Sequence, residues 1–96
     1  MIWLVVRHKM KDYAAWLPHF EANIPDQVAA GLHVMEVDRG LDDPNDLFVV
    51  LQVDDVAKAR AFMQDPKLKD VMAGAGVVDE PTVYFMETAK SYMKPG

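Results

Sequence analysis

Seven residues in the middle of the chain, Leu47 to Val53, run Leu-Phe-Val-Val-Leu-Gln-Val with one polar interruption at Gln52. An apolar run of that length, preceded by turn residues, reads as a strand covered on both faces. Phe48 and Val50 point one way, and Leu47, Val49 and Leu51 the other. Such a strand needs cover on both sides of its sheet. The chain has 96 residues, and a second core would need roughly another 50 or more, so residues 1–96 read as a single domain. The second layer of cover therefore has to be found outside a second domain.

The rest of the chain arranges itself around that strand. Residues 2–9 form a first strand, with Trp3, Val5 and Arg7 on one side and Ile2, Leu4, Val6 and His8 on the other. From Asp12 the period changes: Tyr13, Trp16, Leu17, Phe20 and Ile24 recur at helical spacing. Pro18 predicts a kink in that helix, Pro25 ends or redirects it, a short second segment runs to Ala30, and Gly31 stops it. Residues 32–39 alternate as a strand, with Leu32, Val34, Glu36 and Asp38 opposite His33, Met35, Val37 and Arg39. Gly40 to Asp46, rich in Asp, Pro and Asn, is the hairpin turn into the central strand.

After that strand, Asp54 or Asp55 can cap a helix carrying Val56, Ala59, Phe62 and Met63. Asp65-Pro66 restarts it, and Leu68, Val71 and Met72 form its buried stripe until Gly74 and Gly76. A last strand covers 82–88, and Lys94-Pro95-Gly96 reads as a loose tail. The order strand, helix, strand, strand, helix, strand is the α+β ferredoxin-like βαββαβ pattern, a four-stranded antiparallel sheet with helices on one face. Hydrophobic residues make up 51% of the chain, more than a small core readily hides. The surplus falls on the uncovered sheet face, which predicts a second copy packed there as a homodimer.

Several function classes fall away. The apolar opening Ile2 to Val6 meets Arg7-His8-Lys9 far short of the ~20 residues of a spanning helix, and it has no signal-peptide flanks. The net charge of -5 and the absence of a basic stripe argue against nucleic acid. Without cysteine there is no disulfide framework and no thiol chemistry, in keeping with a cytoplasmic protein. No metal or cofactor is expected: His8, His19 and His33 are spread without ligand spacing, and Gly74-Ala75-Gly76 follows a helix instead of opening one. No Ser-His-Asp spacing supports acyl transfer.

Local motifs coincide with the fold pattern. His8-x-x-x-Asp12-Tyr13-x-x-Trp16-x-x-x-Phe20 is followed by the turn Asp42-Asp43-Pro44-Asn45. Beyond it come Asp54-Asp55 before Ala59-x-Ala61-Phe62, and Met72-x-x-Ala75-Gly76-Val77 followed by Pro81. With these segments the chain resembles the dimeric α/β-barrel superfamily, antibiotic-biosynthesis-monooxygenase-like, and is most similar to its uncharacterised small-protein branch. The resemblance implies a ferredoxin-like dimer and a pocket between helices and sheet for a small apolar or aromatic ligand. It is compatible with cofactor-free oxygenases, isomerases, cyclases and proteins without known activity. Similar chains carry a carboxylate and an aromatic before the Asp-Asp pair, where this chain has Gln52 and Val53, so no acid–base role is carried to that strand end.

His8, at the end of the first strand near Asp12-Tyr13, is the candidate catalytic residue, a general base near neutral pH. The plainer reading is a strand-end histidine bonded to its loop. Tyr13, Trp16 and Phe20 share a stripe that would line a pocket for a flat substrate, with Trp16 at the pocket edge because its indole N–H needs a partner. Core packing is the alternative for that stripe. Gln52 is expected to add a polar group, and Met63, Met72 and Met86 adaptable walls. His33 and Arg39 fall on one side of their strand, His19 at the edge of the helical stripe toward solvent, and Asp43 and Asn45 serve the turn. Two functions remain: a cofactor-independent monooxygenase acting on an aromatic or polyketide-like substrate, or a non-catalytic ligand-binding or interaction module.

Overall fold

The computed structural model describes residues 1–92, and the tail expected at residues 94–96 lies outside them. The elements are β1 (Ile2–Lys9), α1 (Tyr13–Ala22), α2 (Ile24–Ala29), β2 (Leu32–Arg39), β3 (Asp46–Val53), α3 (Val56–Gln64), α4 (Pro66–Gly74) and β4 (Thr82–Glu87). The strands form one sheet in the order β2-β3-β1-β4, with every neighbouring pair antiparallel. This is the α+β ferredoxin-like fold, with each helical arm built in two pieces.

Local chemistry sets the helix boundaries. The Asp12 carboxylate accepts a hydrogen bond from Ala14 N–H at 3.1 Å and opens α1. α1 continues through Pro18, and the break comes at Asn23, two residues before Pro25. Pro25 starts α2 rather than ending α1, because a first-turn residue has no intrahelical N–H bond to lose. Gly31, at φ +76°, stops α2, and its carbonyl accepts from Asp54 N–H at 2.9 Å. Of the Asp54-Asp55 pair, Asp55 caps α3 through Lys58 N–H, while Asp54 lies 2.6 Å from His33 Nε2.

Strand parity sorts the side chains between two faces. Leu4, Val6 and His8 of β1 register with Leu51, Val49 and Leu47 of β3 and face the helices. Trp3, Val5 and Arg7 register with Gln52, Val50 and Phe48 on the open face. In β2 the alternation breaks between Val34 and Glu36, where Met35 is the extra residue. Val37 and Arg39 thereby join the side of Leu32 and Val34, so His33 and Arg39 lie on opposite faces and not on one side as expected. Arg39 instead packs over the Tyr13 ring at 4.3 Å.

The core lies between sheet and helices, with Leu4, Leu32, Leu47 and Val49 fully enclosed and Trp16, Ala59 and Ala75 packed on them. The open face has no such cover. Tyr84 (58% exposed), Met86 (46%) and Phe48 (37%) stand there beside Val5 and Val50.

Candidate functional site

The end of β1 is held in place by two loops. Asn45, in the β2–β3 turn, accepts Met10 N–H at its carbonyl and Tyr13 N–H at its side-chain oxygen, both at 3.0 Å. Asp43 shapes that turn by accepting Asn45 N–H. On the other side, Asp79 accepts Lys9 N–H at 2.9 Å, and Val78 N–H donates to the Lys9 carbonyl. These bonds fix the backbone around His8 and bring two carboxylates, Asp79 and Asp46, into its electrostatic field.

His8 is 5% exposed, and neither ring nitrogen has a hydrogen-bond partner. Burial pushes its imidazole below the ordinary histidine value, and the charges of Asp79 and Asp46 oppose that shift. The ring is therefore neutral at pH 7 and offers one donor and one acceptor nitrogen. Beside it runs a row of aromatic rings. The His8 and Trp16 centroids are 5.7 Å apart, Trp16 and Phe20 stack at 4.6 Å, and Tyr13 lies 6.0 Å from Trp16.

His8, Trp16 and Phe20 border a cavity of about 60 Å³ between the sheet and both helical arms. Its sheet wall is Leu4, Val6, Val49 and Leu51, and Phe62, Met63 and Met72 face them from the second arm. A cavity of this volume has room for a few waters, and a flat ring enters it only as the flexible Met63 and Met72 walls give way. No Asp, Glu, Lys or Arg lines it among the described residues.

Of the residues expected at the site, His8, Trp16, Phe20, Met63 and Met72 border this cavity. Trp16, at 3% exposure, forms an interior wall and not the rim, because it packs into the core cluster with Leu4, Val6 and Val49. Tyr13 stands behind Trp16 and under Arg39. Gln52 faces away: it pairs with Trp3 and His33 on the open face, since its parity in β3 is opposite to that of Leu51. Met86, paired with Trp3, is on that face too.

Sequence reasoning missed Gln27 and underrated His19. His19 is exposed yet borders the cavity. Gln27 on α2 is 5% exposed, and its side-chain oxygen is buried without a partner. A polar residue in a six-residue helix gives too little periodicity to betray this burial. Asp79 carried no signal either, because its role depends on a loop folding back on β1.

No group of three or more His, Cys, Asp or Glu among the described residues is placed to hold a metal ion. No helix there is long and apolar enough to cross a membrane.

No family model matches the sequence, and no curated protein matches it significantly. Solved structures do share its fold. An antibiotic-biosynthesis-monooxygenase-type protein of Bordetella bronchiseptica superposes with TM-score 0.75 at 16% identity, over 93% of this chain and 97% of that one. SnoaB of Streptomyces nogalater, a cofactor-independent oxygenase, superposes with TM-score 0.71 at 12% identity, over 97% of each chain. A conserved protein of Methanosarcina mazei gives TM-score 0.65 at 13% identity, over 88% of this chain and 89% of that one.

Proposed function

We propose that this protein, whose fold is that of the antibiotic-biosynthesis-monooxygenase-type proteins, is a cofactor-independent oxygenase acting on a small hydroxylated aromatic molecule. One observation carries the reading: His8 is buried, neutral and unpartnered in a largely apolar cavity walled by Trp16 and Phe20. An unpartnered buried imidazole costs stability unless a ligand completes its hydrogen bonds.

In this reading the ligand ring lies among Trp16, Phe20 and Met63, and His8 accepts the proton of a ring hydroxyl. Asp79 and Asp46 stabilise the imidazolium so formed. The electron-rich anion gives electrons to dioxygen, a C–O bond forms at the ring, and the hydroperoxide loses water to leave a quinone. A phenol and O2 thus give a quinone and H2O, with O2 reduced and the ring oxidised. The protein supplies orientation, a base and a dry site.

A second reading, a non-catalytic ligand-binding module, is favoured by the absence of any carboxylate or cationic group in the described lining. In either case we propose a homodimer joined through the open face of Trp3, Val5, Phe48, Val50, Tyr84 and Met86 and, because the chain lacks cysteine, a cytoplasmic location. The deciding experiment incubates the protein with phenols and hydroquinones under oxygen and follows quinone formation. Turnover lost in His8→Ala supports the oxygenase. Turnover unchanged in that variant, or none above buffer, overturns it, and a ligand recovered unaltered supports the binding module.

A further inference from the structure

The cavity holds a second unpartnered acceptor that the proposed chemistry does not use. Gln27 is 5% exposed, and its Oε1 is enclosed without a hydrogen-bond partner. It borders the same cavity as His8, whose two nitrogens are likewise unpartnered. The two groups come from different elements. His8 ends β1 opposite Leu47, while Gln27 lies on α2, which leads to Leu32 opposite Val53 at the far end of β3.

A buried carbonyl oxygen without a donor is an unfavourable state that a ligand N–H or O–H relieves, and an aprotic ligand does not. Neutral His8 takes one ring hydroxyl, and Gln27 Oε1, an acceptor only, calls for another donor. The described lining has no Lys or Arg, so a carboxylate would be buried without a permanent cation to offset it. A cavity of about 60 Å³ admits no scaffold larger than a single ring.

We propose that Gln27 is a specificity-determining residue that accepts a second ligand hydroxyl, so that the cavity selects neutral dihydroxylated single rings over monohydroxylated rings and carboxylates. This rests on the reading of the cavity as a ligand site with His8 engaging one hydroxyl. Gln27 selects the ligand, and His8 remains the group that takes the proton.

The test is calorimetric titration of the whole protein, under nitrogen to prevent oxidation. The probes are hydroquinone, resorcinol and catechol, each beside its monomethyl ether, with 4-hydroxybenzoate as the anionic probe. For the best-bound diol, methylating one hydroxyl is expected to weaken binding about tenfold, the worth of one satisfied buried acceptor. In Gln27→Leu and Gln27→Met that ratio is expected to fall to near one, with binding of the monomethyl ether unchanged, and 4-hydroxybenzoate is expected not to bind. Equal binding of diol and ether by the wild type, a preference for the ether, or a ratio retained in both variants overturns the inference. The wild-type comparison decides alone if neither variant folds. Binding without discrimination removes the role of Gln27 and leaves the ligand site standing. No binding of any probe removes both.

Discussion

The imidazole of His8 and the indole of Trp16 lie with ring centroids 5.7 Å apart and planes inclined by 60°, both residues at most 5% exposed. The indole helps keep water from the imidazole, so the largest influence on His8 is desolvation, with Asp79 and Asp46 opposing it from outside the cavity. A base kept neutral and dry beside an aromatic wall suits a flat neutral ligand.

The pH dependence of stability follows from that contact. The folded pKa of His8 lies below the ordinary histidine value of 6.5. Below about 6.5 the unfolded chain gains a proton that the native state binds less readily, so stability is full above that pH and is lost as pH falls toward the folded value. The urea midpoint of the wild type is expected to drop more between pH 7.5 and pH 5.5 than that of His8→Leu. Equal drops would mean that His8 is not buried as described.

The open sheet face predicts assembly. Light scattering is expected to give twice the 10.8 kDa chain mass at micromolar concentration, and Val50→Arg, at the centre of that face beside Val5, is expected to give single chains. Buried, an unpaired arginine would face the apolar surface of the partner copy. A wild-type mass of one chain sinks the shared-barrel assembly.

Leu4 is fully buried and is also part of the sheet wall of the cavity. Leu4→Ala is expected to cost about 2–5 kcal/mol in chemical denaturation. Since the removed methyl groups border the cavity, the same variant should accept a bulkier ring than the wild type does. A loss under about 1 kcal/mol would show that the site collapses around the change.

Asn45 joins the hairpin turn to the start of α1 through its bond to Tyr13 N–H. Asn45→Ala is expected to lower stability by about 1 kcal/mol and to speed hydrogen exchange at the Tyr13 and Met10 amides, because Asn45 also accepts the Met10 N–H at its backbone carbonyl. Unchanged exchange at both amides would show that the turn does not brace that end of β1.

Gly31 sits at φ +76°, with Asp55 N only 3.4 Å from where a Cβ would stand. Gly31→Ala is expected to cost about 1–2 kcal/mol, the price of a left-handed conformation for a residue with a Cβ, and Gly31→Asn less. Equal stability of the two variants would argue against that conformation.

Short-range signals were enough for most of the architecture. Solid hydrophobe at 47–53, alternation at 2–9 and 32–39, helical spacing from Tyr13 and aspartates at helix starts are each local features with one backbone solution. His8, Trp16, Phe20, Met63 and Met72 were legible as cavity residues for the same reason: apolar stripes point at a shared core. Gln52 was misplaced because parity says only that alternate residues differ, and it leaves open which set meets the helices. His33 and Arg39 were misjudged because a single extra residue, Met35, exchanges the faces, and a bulge leaves no mark in composition.

The sequence by itself therefore determined the element order, the helix starts and the presence of more apolar strand surface than one helical layer covers. Only the tertiary structure decided which sheet face that layer covers, that the acceptor of Gln27 is enclosed, and that Asp79 reaches the end of β1. The physical reason is range. Propensity and capping act within a turn or two of chain, whereas burial, orphaned hydrogen-bonding groups and the electrostatic field at His8 arise between residues brought together from distant parts of it.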